Sequence, residues 1–209
     1  MKNQISSLIT PGIVVALVIL VFSCSPKKME EAKEDTDTKM NTTDAKTTVQ
    51  PITEVKVFDN VDASVKSQVD NLLGKYYEMV QALTQDNADG AKAAAKTFKV
   101  DLAKFDMSKL MGEQMDFYHR QEAILSGALK NIEEGIDIEE IRTELAVVTG
   151  SMYALVKAYA ANTTDVYYDF CPMAANNEGA YWLSNVKEIR NPYMGQRMPH
   201  CGNVKETIN

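Results

Sequence analysis

Two short sulfur-bearing islands near the end of the chain carry its most distinctive chemistry: Cys171-Pro172-Met173 and Met198-Pro199-His200-Cys201-Gly202. Only three cysteines occur in the 209 residues, and two of them are here, each with a methionine two or three positions away. Thiolate and thioether sulfurs are soft ligands that favour Cu(I) and similar ions over Mg or Ca. In an extended chain Cys171 and Met173 point to the same side. Met198 and Cys201 stand three apart, a spacing that a tight turn can converge. If the islands meet, they present two thiolates and two thioethers, a set suited to Cu(I) or Ag(I), with His200 able to replace one methionine. Met194 is a spare thioether in the same stretch. Zinc would favour cysteine and histidine without methionine, and His119 is the only other histidine.

A second reading of the same residues stands beside the first. Cys171 and Cys201 are an even pair with one possible connectivity, so they could be a disulfide stapling a small irregular tail. Closing a loop of that length contributes about 3 kcal/mol in the chain-entropy model. The methionines would then be gap fillers. Other candidates are weaker. Met107, Met111 and Met115 recur every four residues, as a ligand ladder or, more simply, as core. His119 beside Arg120 reads as a surface residue, and Glu133-Glu134 and Glu139-Glu140 as solvated helix ends. Neither histidine has a serine and carboxylate pattern around it, and no phosphate-binding glycine loop occurs. A Cys171/His200 nucleophile pair would lack a third, orienting group. The expectation is a binding or interaction protein, not an enzyme.

The elements that must position these residues are mostly helical. Val65, Val69, Leu72, Tyr76, Met79 and Leu83 alternate by four and three, one apolar stripe of an amphipathic helix. Asp86 reads as the N-cap of a second helix, with Asp89 in its first turn and the alanine-rich stripe Ala91, Ala95, Phe98, Leu102 and Phe105. A third helix is expected from Ser108, along Met111, Met115, Tyr118, Leu125, Leu129 and Ile132, ending at Gly135. The fourth is the most regular: Ile138, Ile141, Leu145, Val148, Met152, Leu155 and Tyr159, with Asp137 as its cap. Short links between four such helices predict a mainly α fold, an up-down four-helix bundle over residues 56–161. From 162 to 209 the helical period stops. Val166–Phe170 and Ala180–Leu183 read as a hairpin around the turn signal Asn176-Asn177-Glu178-Gly179. Asn191-Pro192-Tyr193-Met194-Gly195 and the second sulfur island read as loops. Tyr167, Tyr168 and Trp182 are expected to cover the bundle. This tail is too short to hold its own core, so it should pack on the helices as part of one domain.

The other end of the chain sets the compartment. Lys2 precedes an unbroken apolar run, Ile13 to Phe22, too short to span a bilayer comfortably, so residues 1–23 read as a secretory signal. Cys24 after a small residue resembles a bacterial lipoprotein cleavage box and would be the lipidated residue, with an uncleaved N-terminal anchor as the alternative. Residues 24–55 are polar and charged, the composition of a disordered tether. The folded part is thus expected in the cell envelope, lipid-anchored and periplasm-facing, where disulfides persist. With 29 acidic against 22 basic residues the chain is acidic, and no basic patch points to nucleic acid.

The run Tyr168-Asp-Phe-Cys-Pro-Met-Ala174, followed by Gly179-Ala-Tyr-Trp-Leu-Ser184, Glu188-Ile189, Asn191-Pro-Tyr-Met-Gly195 and Met198 through Gly202, resembles a domain of unknown function in exported proteins, many of them from Bacteroidetes. That domain occurs alone on lipoproteins and also fused to periplasmic adaptor (membrane-fusion) subunits of copper/silver efflux pumps. The resemblance covers about residues 56 to 209; in the helical part only Arg142 stands out as typical. It implies an envelope protein tied to copper or silver handling, with Cys171, Met173, Met198 and Cys201 as the motif sulfurs and a heavy-metal efflux adaptor as partner. His200 falls at a variable position of the motif.

Overall fold

The computed structural model describes residues 54–209. The signal segment, Cys24 and nearly all of the 24–55 tether lie outside the described residues. Four long helices come first: α1 (Ala63–Thr84), α2 (Ala88–Leu102), α3 (Glu113–Glu134) and α4 (Ile138–Tyr159). Each packs on the next and α4 returns to α1, which closes an up-down four-helix bundle as the periodicity predicts. The α1 stripe from Val65 to Leu83 is at most 1 % exposed at every position. Such burial is the main stabilising term for an amphipathic helix, because propensity alone is marginal at this length. In α4, Arg142, Thr149, Ser151 and Tyr153 are buried along with the expected stripe, because this helix is covered on more than one face. Among the described residues no helix is long and apolar enough to cross a membrane.

Local signals set the helix starts. The Asp62 carboxylate accepts the Ser64 N–H at 2.8 Å to cap α1, and Asp137 accepts the N–H groups of Glu139 and Glu140 to cap α4. Two expected starts move. The cap of α2 is Asn87, whose side chain accepts from the Gly90 N–H at 2.8 Å; Asp86, at φ +55°, faces the tail instead. The third helix does not begin at Ser108. A 3-10 turn, Met107–Lys109, is capped by Asp106, and α3 starts only after Gly112. Met111 falls in that break and is 79 % exposed, while Met107 and Met115 are partly buried against the core, so the three methionines do not share a face.

The tail forms a three-stranded antiparallel sheet of order β2-β1-β3, from β1 (Val166–Cys171), β2 (Ala180–Ser184) and β3 (Asn203–Ile208). The β1–β2 hairpin matches the expected one. The third strand lies beyond the expected hairpin; its sequence, Asn-Val-Lys-Glu-Thr-Ile, is mostly polar, as an outer strand can be. Between β1 and β3 the register shifts at Tyr168/Asp169. The sheet is fixed to the bundle by directed contacts. The Leu183 N–H donates to the Tyr76 hydroxyl at 3.0 Å, and that hydroxyl shares a hydrogen bond with Thr149 at 2.8 Å. Tyr153 donates to the Glu206 carboxylate at 2.7 Å, and Lys157 pairs with the same carboxylate. The rings of Tyr153, Tyr168 and Tyr181 stack in sequence across the junction, 4.3 and 4.7 Å apart.

Candidate functional site

Cys171 is the last residue of β1, fully buried, and pairs with Ala180 of β2. Cys201 lies two residues before β3 and is partly buried. The two Sγ atoms are 2.6 Å apart, longer than an S–S bond and closer than two non-bonded sulfurs rest. Gly202 permits this approach. At φ +135° its Cα lies so near β1 that an added Cβ would come 2.8 Å from the Phe170 carbonyl oxygen and 2.9 Å from the Trp182 ring. The neighbouring Cys171 thiol, followed by burial, raises the Cys201 pKa, while a hydrogen bond from the Met173 backbone acts in the opposite direction.

The two predicted cysteines are therefore together, and the other predicted ligands lie on the turns that flank them. Met173 reaches Cys201 through its backbone, and the residue is 45 % exposed. Met198 accepts the Cys201 N–H on its carbonyl at 3.1 Å, closing the turn that presents the thiol, and the residue is 38 % exposed. His200 is exposed, with Nδ1 3.0 Å from the Ile189 carbonyl oxygen; a hydrogen bond there leaves Nε2 as the ring atom for a ligand. Met194 is partly buried against the core. Among the described residues no three His, Cys, Asp or Glu side chains are grouped so as to hold a metal ion. A metal here would rest on the two thiolates with thioether help.

Three residues of the surroundings escaped the sequence reading in whole or part. Asn191 is fully buried. Its Nδ2 donates to the Cys201 carbonyl at 2.7 Å, and its Oδ1 accepts the N–H groups of Tyr193 and Met194 at 2.8 and 3.0 Å. Its backbone N–H donates to Pro199 and its carbonyl accepts from Gly195. Asparagine beside proline signals a turn, but not this convergence. Arg142, buried in α4, donates through Nε to the Pro192 carbonyl at 2.8 Å and through Nη2 to Asp86 at 2.6 Å. Asp86 also accepts the Gln196 N–H at 3.0 Å. That N–H bond, then the Arg142 guanidinium, hold its carboxyl below the usual range. Gly195, at φ +52°, passes so close that a Cβ would lie 1.8 Å from the Asp86 carboxylate.

The third is Asp169. It sits two residues before Cys171 and opposite Trp182 in the β1–β2 register, hence on the same face of the sheet as both. It is fully buried, neither carboxylate oxygen has a hydrogen-bond partner, and desolvation pushes its pKa up to about 7.

No curated protein and no solved structure matches the chain. Residues 72–164, from within α1 to just before β1, match the model of a family described as "Protein of unknown function (DUF3347)", so the helical part of this chain is similar to a domain of unknown function, and the thiol pair lies beyond the matched stretch.

Proposed function

We propose that this chain is an envelope lipoprotein whose folded domain binds one soft metal ion, Cu(I) or Ag(I), and supports heavy-metal efflux or homeostasis by passing the ion to or from a pump's adaptor subunit. The observation that carries the reading is the meeting of Cys171 and Cys201 from separate segments, with the exposed residues Met173 and Met198 in the flanking turns. Two thiolates supply the charge and softness that Cu(I) favours, and the thioethers complete the set without adding charge. Partial exposure of Cys201 leaves a route for exchange with an acceptor. The role is capture and transfer, not catalysis. The lipid on Cys24 and the efflux partner rest on the cleavage-box pattern and the tail motifs.

The test is competition for Cu(I) against a chromophoric chelator, anaerobic and reduced, on the full chain carrying Cys24→Ser so that only the paired thiols report. One ion per chain is expected, with binding lost in Cys171→Ser and Cys201→Ser. Unchanged affinity in both variants would sink the metal assignment.

The sulfur separation favours a second reading. Metal–sulfur bonds near 2.3 Å at a tetrahedral angle place two sulfurs roughly 3.8 Å apart, so Cys171 and Cys201 must part by about 1 Å to admit an ion. A disulfide-stapled, non-catalytic interaction domain needs no such parting. Under that reading both thiols resist alkylation after mild oxidation and no Cu(I) is taken up without reductant or with it.

A further inference from the structure

We infer that Asn191 is the positioning residue of the thiol pair, fixing where Cys201 stands against Cys171, and that Arg142 carries this placement from the helical bundle. Cys171 is held by the sheet, paired on β1. Cys201 has no ladder of its own, because β3 begins two residues later. Its carbonyl is instead held by the Asn191 amide at 2.7 Å. The same side chain gathers the next turn through two N–H donors, and the Asn191 backbone reaches Pro199. One buried residue thus ties the segment before Cys201 to the segment that follows Asn191. Only a primary amide supplies both the donor and the twofold acceptor in this space.

The loop beyond Asn191 would still be free to shift as a body were it not fastened to the helices. Arg142 holds the Pro192 carbonyl, and Asp86 holds the Gln196 N–H while pairing with Arg142. These three contacts bracket residues 192–196 against α4 and the α1–α2 turn. Arg142 is 5 % exposed, so its guanidinium meets the loop in a largely water-free setting where directed hydrogen bonds discriminate position. The path runs Arg142, Pro192, Asn191, Cys201, and no step of it needs a metal.

The metal arm of the test rests on the Cu(I) reading, whereas the thiol arm does not. In the full chain with Cys24→Ser, the Cys171–Cys201 pair is equilibrated with glutathione disulfide. The pair gives up two electrons and two protons to form its disulfide, and glutathione disulfide becomes two glutathione thiols. Cu(I) competition is run in parallel under reducing conditions. Asn191→Asp keeps the size and the acceptor but loses the amide donor to Cys201. The expected result is a closure constant about tenfold lower and Cu(I) affinity about 10- to 100-fold weaker, with the helical circular dichroism of the parent. If this variant loses its helical signal, Arg142→Lys is read instead; it keeps the charge beside Asp86 but cannot also hold Pro192, and both quantities are expected to fall. Parent values of both quantities in a folded variant overturn the inference. A lowered closure constant beside a parent chain that takes up no Cu(I) upholds the positioning role and sinks the metal reading alone.

Discussion

In α1 the stripe from Val65 to Leu83 repeats one kind of contact six times, while Cys201 is placed by a few contacts that are all different. Apolar burial is non-directional and roughly additive in area, so the bundle tolerates local error and its pattern is written in period. The tail is specified by donors and acceptors aimed at particular partners: Asn191 at Cys201 and the following turn, Arg142 at Pro192 and Asp86, Tyr76 at Leu183 and Thr149. Such contacts add little net stability each but are costly to leave half made. The two regions thus differ in emphasis: apolar burial dominates the helices, while in the tail polar contacts select one arrangement of the sulfurs over an apolar base that includes Trp182 and Leu183.

Three substitutions probe that division, beyond the metal and thiol experiments above. The largest effect is expected from the bundle. Leu145 is fully buried in α4, and Leu145→Ala should lower unfolding stability by about 2–5 kcal/mol. Denaturant unfolding followed by helical dichroism and by Trp182 fluorescence should show both regions shifting together. If only the helical signal moved, the sheet would be folding independently.

Next comes Asp169. Its carboxyl titrates at about 7 in the fold against 3.8 for the unperturbed group. Folding therefore favours the protonated form. The contribution is fully present below about pH 4 and is lost as pH rises through 7. Asp169→Asn should leave stability near parent at pH 4 and raise it by about 2–4 kcal/mol at pH 8. A stability difference that does not change between those two pH values would contradict the buried-carboxyl account.

The smallest effect is expected at the joint. Tyr76→Phe removes the acceptor for the Leu183 N–H and the partner of Thr149. A cost of about 1–3 kcal/mol is expected, with hydrogen exchange quickened at Leu183 more than in α1. Equal quickening throughout α1 would mean that the hydroxyl supports the core and not the docking of β2.

What could be read from the sequence follows the same division. The bundle was legible because a 3.6-residue period survives in the chain whatever lies next to it. Asp86 was misread as a cap because its actual partner, Gln196, is 110 positions away, whereas Asn87 caps locally. Met111 fitted a stripe by spacing yet falls in the break before Gly112. In the tail, the sulfurs were found from their rarity. Asn191 was seen only as part of a loop motif, and Asp169 only as a letter in a strand. The roles of both come from tertiary neighbours, and neither a fully buried amide nor an unpartnered carboxylate leaves a periodic trace. The third strand was missed for a related reason: its alternation is carried by Val204, Glu206 and Ile208, and the middle one is charged.

β3 is an outer strand of the sheet, laddered to β1 alone. Glu206, in its middle, is held by Tyr153 and Lys157 of α4, while Cys201 stands two residues before its start. Any loosening of that single ladder is therefore felt at the thiol pair on one side and at the last helix of the bundle on the other, so the outer strand is a mechanical link between the sulfurs and α4.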